Sequence, residues 1–250
     1  LSEVFDPAFF DFYAALPQQG PGRDSETLHV LHRIADRLPA QPRVADLGCG
    51  TGRTTLALAA ALPDAAVTAI DFSDAFCQRL RDETTHRNLG SRIHIHEADM
   101  AAPPIAPGSL DLLWSEGAVY NIGFENALSL WRPLLKPAGY AVISECTWLS
   151  DDRPHAVSEF WAAAYPSMGT RTENVSRATA AGYEIIDTHT LAAEAWADYY
   201  DPITKAIEDG NAAQLGPAFI AELEQERAIF AASRGSYGYV FYTVKPRRRA

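Results

Sequence analysis

"VADLGCGTGRTT", residues 44–55, decides the fold. A short apolar run ends at Asp46 and Leu47, Gly48, Gly50 and Gly52 follow at alternate positions, and an Ala- and Leu-rich stretch comes next. A strand that passes through bare backbone into a helix leaves free N–H groups at the helix start and lets a ligand approach the chain closely. Folds that bind nucleotides and nucleosides use this arrangement. A tight turn without a ligand is the simpler alternative, and the acids further along the chain bear on the choice.

Outward from the glycines, strand and helix patterns alternate. "RVADL" (43–47) reads as a buried strand and "TTLALAAALP" (54–63) as a helix stopped by Pro63. "AVTAIDF" (66–72) is a second strand, and "SDAFCQRLRDETTHRNL" (73–89) an amphipathic helix capped by Ser73 and closed by Gly90. In "RIHIHEAD" (92–99), Ile93 and Ile95 alternate with His94 and His96, as expected for a half-exposed strand at a sheet edge. "LDLLWS" (110–115) is a buried strand, "ENALSLWRPLLKP" (125–137) a helix and "GYAVISEC" (139–146) a further strand. Ahead of them, "SETLHVLHRIADRL" (25–38) places Leu28, Leu31, Ile34 and Leu38 at helical spacing. Such alternation predicts an α/β, Rossmann-like, doubly wound sheet.

Past residue 146 the rhythm changes. Helices are expected over 151–166 and 174–183, a strand over 184–191, a helical, aromatic-rich stretch over about 192–234, and a last strand over 237–246. The distance between the last two strands predicts an inserted cap.

Composition narrows the function. The chain has 250 residues, 47% of them hydrophobic and 21% charged, an ordinary globular balance. Its formal net charge is −11, and the one basic cluster, Arg247 to Arg249, reads as a solvated tail, so nucleic acid is not an expected partner. No apolar run is long enough for a membrane span, and no signal-peptide pattern is present, which predicts a cytoplasmic protein. Cys49, Cys77 and Cys146 lack metal or redox spacing and are expected to be free thiols.

The spacing is G-x-G-x-G, not the G-x-G-x-x-G of nicotinamide-binding turns, and Asp46 just ahead of it would repel a phosphate. A ligand with an ammonium and a sulfonium suits the acid better. Asp71 ends the second strand, where a carboxylate can accept hydrogen bonds from ribose hydroxyls. Asp99 ends the third, where it can take the amino group of an adenine, with Met100 offering an N–H and an apolar contact. Taken singly, Asp71 could be a helix-capping acid and Asp99 a loop acid. Acids at three successive strand ends argue for a ligand site.

"VADLGCGTG", "IDFS", "EADM", "LDLLWSEGAVYNIGF" and "LKPAGYAVISECTW" together resemble the class I S-adenosylmethionine-dependent methyltransferases, and more narrowly a group of small bacterial methyltransferases that share "QGPG" and "WSEGAxYNIGF". The resemblance extends over essentially the whole chain. It implies seven strands in the order 3-2-1-4-5-7-6, strand seven antiparallel, within a single domain over 1–250. Residues 1–24 would form an N-terminal lid, 25–146 the cofactor-binding core, 147–236 the acceptor-side cap and strand six, and 237–246 the last strand. It implies that Asp46, Gly48, Cys49, Gly50 and Gly52 lie at the methionine part of the cofactor, Asp71 and Phe72 at the ribose, Asp99 and Met100 at the adenine, and Ser115 near the amino-acid end. Tyr13 and Gln19, in "FFDFYAALPQQGPG" (9–22), are the lid contacts it implies.

Methyl transfer from such a cofactor needs alignment more than protein nucleophiles, and a base only when the acceptor must lose a proton. Glu116 is the candidate base, with Tyr120 and Asn121 as positioning groups; the simpler alternatives are a loop pin and a packed ring. Trp148, Trp161, Tyr165, Trp196, Tyr199, Tyr200, Tyr237 and Tyr239 either line an acceptor pocket, which would suit an amine, or pack the cap. His94 and His96, with His86 on the preceding helix, offer a possible metal set, but an edge strand tolerates polar residues on its open face and no metal is expected. The expected activity is transfer of a methyl group from S-adenosylmethionine to a small soluble acceptor, with S-adenosylhomocysteine released. The competing readings are an NAD-dependent oxidoreductase and a cofactor-binding protein without catalysis. A homodimer is compatible with this reading, which leaves the acceptor and the oligomeric state open.

Overall fold

The computed structural model describes residues 7–247, so most of the basic tail lies outside the described residues. One sheet organises the chain. Its strands are β1 (Arg43–Leu47), β2 (Ala66–Asp71), β3 (Ile93–Glu97), β4 (Leu110–Ser115), β5 (Leu135–Trp148), β6 (Tyr183–Thr190) and β7 (Tyr237–Pro246). Their spatial order is β3-β2-β1-β4-β5-β7-β6, with β7 antiparallel to both neighbours and the remaining pairs parallel. The expected order and the antiparallel seventh strand are both present. Chain order reverses between β1 and β4, which opens a crevice at the carboxyl ends of these strands.

The helices are α1 (Pro7–Ala14), α2 (Asp24–His32), α3 (Arg53–Ala61), α4 (Asp74–His86), α5 (Phe124–Trp131), α6 (His155–Ala164), α7 (Arg171–Ala180), α8 (Glu194–Glu208) and α9 (Gly216–Ala232). Both sheet faces are covered. In β1, Val44 packs with Leu58 and Leu80 on one side, while Ala45 and Leu47 pack with Leu128 and Trp131 on the other. Every residue of β4 is buried, as expected of a parallel strand covered on both faces. At the open edge, His94 and His96 are exposed, and no metal-holding cluster is found among the described residues. No helix of these residues is long and apolar enough to cross a membrane.

Two expected helices are shorter than their apolar spacing implied. α2 stops at His32, the amides of Arg33 and Ile34 bond three residues back, and residues Ala35–Arg37 form a 3-10 turn. Ile34 stays buried through this tightening, so its spacing was right and the helix geometry was not. α5 stops at Trp131, because Pro133 sits in a second 3-10 turn, and β5 begins at Leu135, ahead of residue 139. The stretch from 192 to 234 is divided by Gly210 and Gly216, both at positive φ, into α8 and α9. These two helices lie between β6 and β7, where an inserted cap was expected. α1 bridges the cap to the end of β2: Phe10 meets Phe72 and Phe76 edge to face, and Phe9 meets Phe219.

Candidate functional site

The glycine loop is docked on the end of β2. The amides of Gly48 and Cys49 donate to the Ile70 carbonyl at 2.8 and 2.9 Å, and the Gly50 amide donates to Asp71 Oδ2 at 2.8 Å. Asp71 Oδ1 accepts the Ser73 amide at 3.0 Å, so this carboxylate joins the loop to the start of α4. Gly52 has φ +94°, and a Cβ there would lie 2.1 Å from Leu80 Cδ1. A side chain on Gly48, at φ +75°, would strike Ala118 Cβ at 2.3 Å and reach Met100 Sδ at 3.3 Å. These two glycines serve close packing between elements as well as a bend open to ligand.

Asp46 lies beneath the loop. It is buried, and its Oδ2 accepts the Thr55 hydroxyl at 2.6 Å. Burial pushes its carboxyl up to about 7, against the pull of the Thr55 hydrogen bond. Asp71 is also raised by burial, an effect opposed by the amides of Ser73 and Gly50. Asp99 is exposed two residues past β3, with Oδ1 accepting the Ala101 amide at 2.8 Å. Met100 is tied down by its carbonyl, which accepts Trp131 Nε1 at 2.8 Å, and its sulfur flanks Gly48. Asp99, Met100, the glycine loop and Asp71 therefore form one continuous run along the strand ends. Two aromatic residues beside it remain open: Phe72 is 56% and Tyr120 46% exposed.

The lid contacts take a specific form. Gln19 Oε1 accepts both the amide and the hydroxyl of Thr51 at 2.9 Å, while its Nε2 donates to the Tyr13 carbonyl at 2.8 Å. Gln19 thus clasps the glycine loop to the N-terminal segment. Tyr13 points away to the cap, where its hydroxyl meets that of Tyr199 at 3.3 Å. Ser115 is buried at the end of β4, and its Oγ has no partner among the described residues.

Glu116 is enclosed by donors. Its Oε1 accepts from Arg53, and its Oε2 accepts the Thr27 hydroxyl at 2.9 Å and Trp114 Nε1 at 3.2 Å. Arg53 also donates to Asp24 at 2.8 Å, so the network ties α2, α3 and the turn after β4 together. A carboxylate so saturated is a counter-ion and a pin of this turn. The next residue, Gly117, donates its amide to Ser144 Oγ at 2.7 Å and fixes the same turn to β5.

The cap aromatics pack together. Trp196 stacks on Phe230 with centroids 4.3 Å apart, lies over Tyr239 at 5.5 Å and meets Tyr237 edge to face at 5.7 Å. Two further acids are held by tyrosine hydroxyls. Glu145 on β5 is buried, accepts the Tyr165 hydroxyl at 2.8 Å, and is pushed up by burial to about 8. Glu226 on α9 accepts the Tyr200 hydroxyl at 2.9 Å. Each carried a signal: Glu145 interrupts the apolar run "AVISECTW", and Glu226 occupies the helical stripe Phe219, Leu223, Glu226, Phe230.

Sheet order, glycine loop and switch-point crevice define a class I methyltransferase fold. Residues 44–139 match the family described as "Methyltransferase domain". Dimethylglycine N-methyltransferase of Parasynechococcus marenigrum is 34% identical over 120 residues, 48% of this chain and 42% of the relative. Trans-aconitate 2-methyltransferase of Paracidovorax citrulli is 32% identical over 124 residues, 48% of this chain and 45% of the relative. The matches thus span less than half the length of these two relatives. A SAM-dependent methyltransferase from Thiobacillus denitrificans, solved with S-adenosyl-L-homocysteine, superposes with a TM-score of 0.80 at 19% identity, over 97% of this chain and 99% of its own.

Proposed function

We propose that the chain is an S-adenosylmethionine-dependent methyltransferase acting on a small acceptor. One observation carries the reading: the glycine loop, bonded to Asp71, shares the strand ends with Asp99 and Met100 beside two open aromatic rings. The residues fit the cofactor. Asp71 can accept ribose hydroxyls through the lone pairs its backbone partners leave free. Asp99 can accept an adenine amino group, with Phe72 and Met100 against the ring system. Asp46 supports the loop from beneath, and a cationic amino-acid end above it would favour its ionised form. Gln19 and Tyr13 hold the lid to the loop and to the cap.

When bound, the cofactor supplies a methyl group on a cationic sulfur, and its transfer to an acceptor lone pair leaves a neutral thioether. The chain's own residues must align that acceptor and exclude water. Tyr120, open in the crevice after β4, positions the acceptor. Glu116 acts as a positioning residue through Arg53 and the turn it pins. The two relatives named above act on chemically different acceptors, so the acceptor class rests on this chain's cap, whose tyrosines and half-buried Glu226 favour an amine.

Titration calorimetry with S-adenosylhomocysteine and with NAD tests the reading. Micromolar binding of S-adenosylhomocysteine without NAD binding is expected. NAD binding alone would replace the reading with an oxidoreductase. Cofactor binding with no methyl transferred to any amine or acid of a metabolite library would reduce it to a binding protein.

A further inference from the structure

We propose that Glu226 anchors a positively charged group of the acceptor among the tyrosines packed beneath α9, an inference that rests on the crevice being the methyl-transfer site. The placement of Glu226 breaks the logic of its helix. Leu223 shares its side of α9 and is buried in the core, with Phe219 and Phe230 partly buried against it, so an apolar residue is expected at 226. A carboxylate there is costly unless something pairs with it.

Among the described residues, Tyr200 is the one side chain that hydrogen bonds to it, and no Lys or Arg pairs with it. Arg227, next in sequence, reaches instead toward Thr204 Oγ1 at 3.4 Å. The Glu226 charge bears on Tyr13, Tyr120, Tyr199, Tyr237, Tyr239 and Cys146. Tyr237 is buried with a hydroxyl that has no partner among the described residues.

Tyr120, on the turn after β4, lies near Tyr199 and Tyr239 and so relates this cluster to the crevice. It lies within the electrostatic reach of both Glu226 and Asp71, and Asp71 holds the glycine loop. Tyr120 is also 46% exposed, on the crevice side of this cluster. A carboxylate among tyrosine rings and hydroxyls attracts a cation through charge, ring faces and hydroxyl oxygens together. A neutral or anionic acceptor would leave the carboxylate unpaired. Burial raises the Glu226 carboxyl, and a cation beside it would restore the ionised form.

The probes are choline and its neutral isostere 3,3-dimethyl-1-butanol, titrated into the full chain with and without saturating S-adenosylhomocysteine. Choline is expected to bind at least about tenfold more tightly than the isostere. Glu226→Gln should remove that preference, leaving the isostere and S-adenosylhomocysteine affinities within about twofold of the native chain. Glu226→Asp, which keeps the charge, should retain the preference. Equal affinity for the two probes in the native chain, no choline binding at all, or a preference that survives Glu226→Gln would overturn the proposal. If Glu226→Gln does not fold, the native-chain comparison and Glu226→Asp decide. Failure of S-adenosylhomocysteine to bind, with the choline preference intact, would instead overturn the cofactor reading.

Discussion

Asp71 and Gly50, 21 residues apart in sequence, are joined by a 2.8 Å hydrogen bond from the Gly50 amide to Asp71 Oδ2. The acid expected at the ribose is therefore also the clamp that shapes the loop. Removing it takes away a direct ligand contact and loosens the backbone at once. Asp71→Ala should weaken S-adenosylhomocysteine binding by about 1.5–3 kcal/mol, the range for a hydrogen bond to a charged group. Calorimetry on the folded variant measures this, and an unchanged dissociation constant would take Asp71 out of the site.

Arg53 and Glu116 form an ion pair whose side chains are only 17% and 3% exposed. Deleting one partner of such a pair strands the other. Glu116→Ala should cost about 3–5 kcal/mol of stability, and Arg53→Met a similar amount, read from urea midpoints. The double variant should lose less than the two single losses combined, because neither charge is then left alone. A catalytic base at Glu116 predicts something else: full stability in Glu116→Gln with turnover abolished.

Gly52 faces Leu80 at a distance no side chain fits, with φ +94°. Gly52→Ala should destabilise the chain by about 2–4 kcal/mol, combining left-handed strain with overpacking. Leu80→Ala in the same chain should recover the overpacking share and leave the strain. If the double variant is no better than the sum of the single ones, contact with Leu80 is not what requires glycine at this position.

The same residues show what can be read from one dimension. β1, β4 and β7 fall on the expected boundaries because each is an apolar run closed by a turn former or a charge. The place of Asp71 was legible because it is the last residue of β2, whereas Asp99 lies two residues past the end of β3, beyond what strand geometry fixes. The end of α2 was not, since no Gly or Pro interrupts "HRIADR" and only tertiary packing of Ile34 tightens it. The partner of Glu116 was hidden for another reason: Arg53 is 63 residues away and meets it only once α3 packs beside β4. A single acid in an apolar helical stripe, such as Glu226, looks like ordinary surface charge in the sequence, and only the fold brings the Tyr200 hydroxyl to it.

Two buried acids set a pH dependence of unusual sign. Asp46 is raised from 3.8 to about 7 and Glu145 from 4.5 to about 8, each mainly by burial. Between the unfolded and folded values, the folded chain holds protons that the unfolded chain has released. By linkage, their contribution to stability is full below about pH 4, falls as pH rises toward 7 for Asp46 and 8 for Glu145, and is gone above. Most acids in folded proteins act in the opposite direction, so the comparison must be between variants rather than between pH values. Asp46→Asn and Glu145→Gln replace each acid by a neutral isostere that cannot titrate. Urea midpoints taken from pH 5 to pH 8.5 should fall less steeply in each variant than in the native chain, by about one proton's worth of slope per site. Parallel curves for the native chain and Glu145→Gln would mean that Glu145 is ionised within the fold, with a counter-charge beside it.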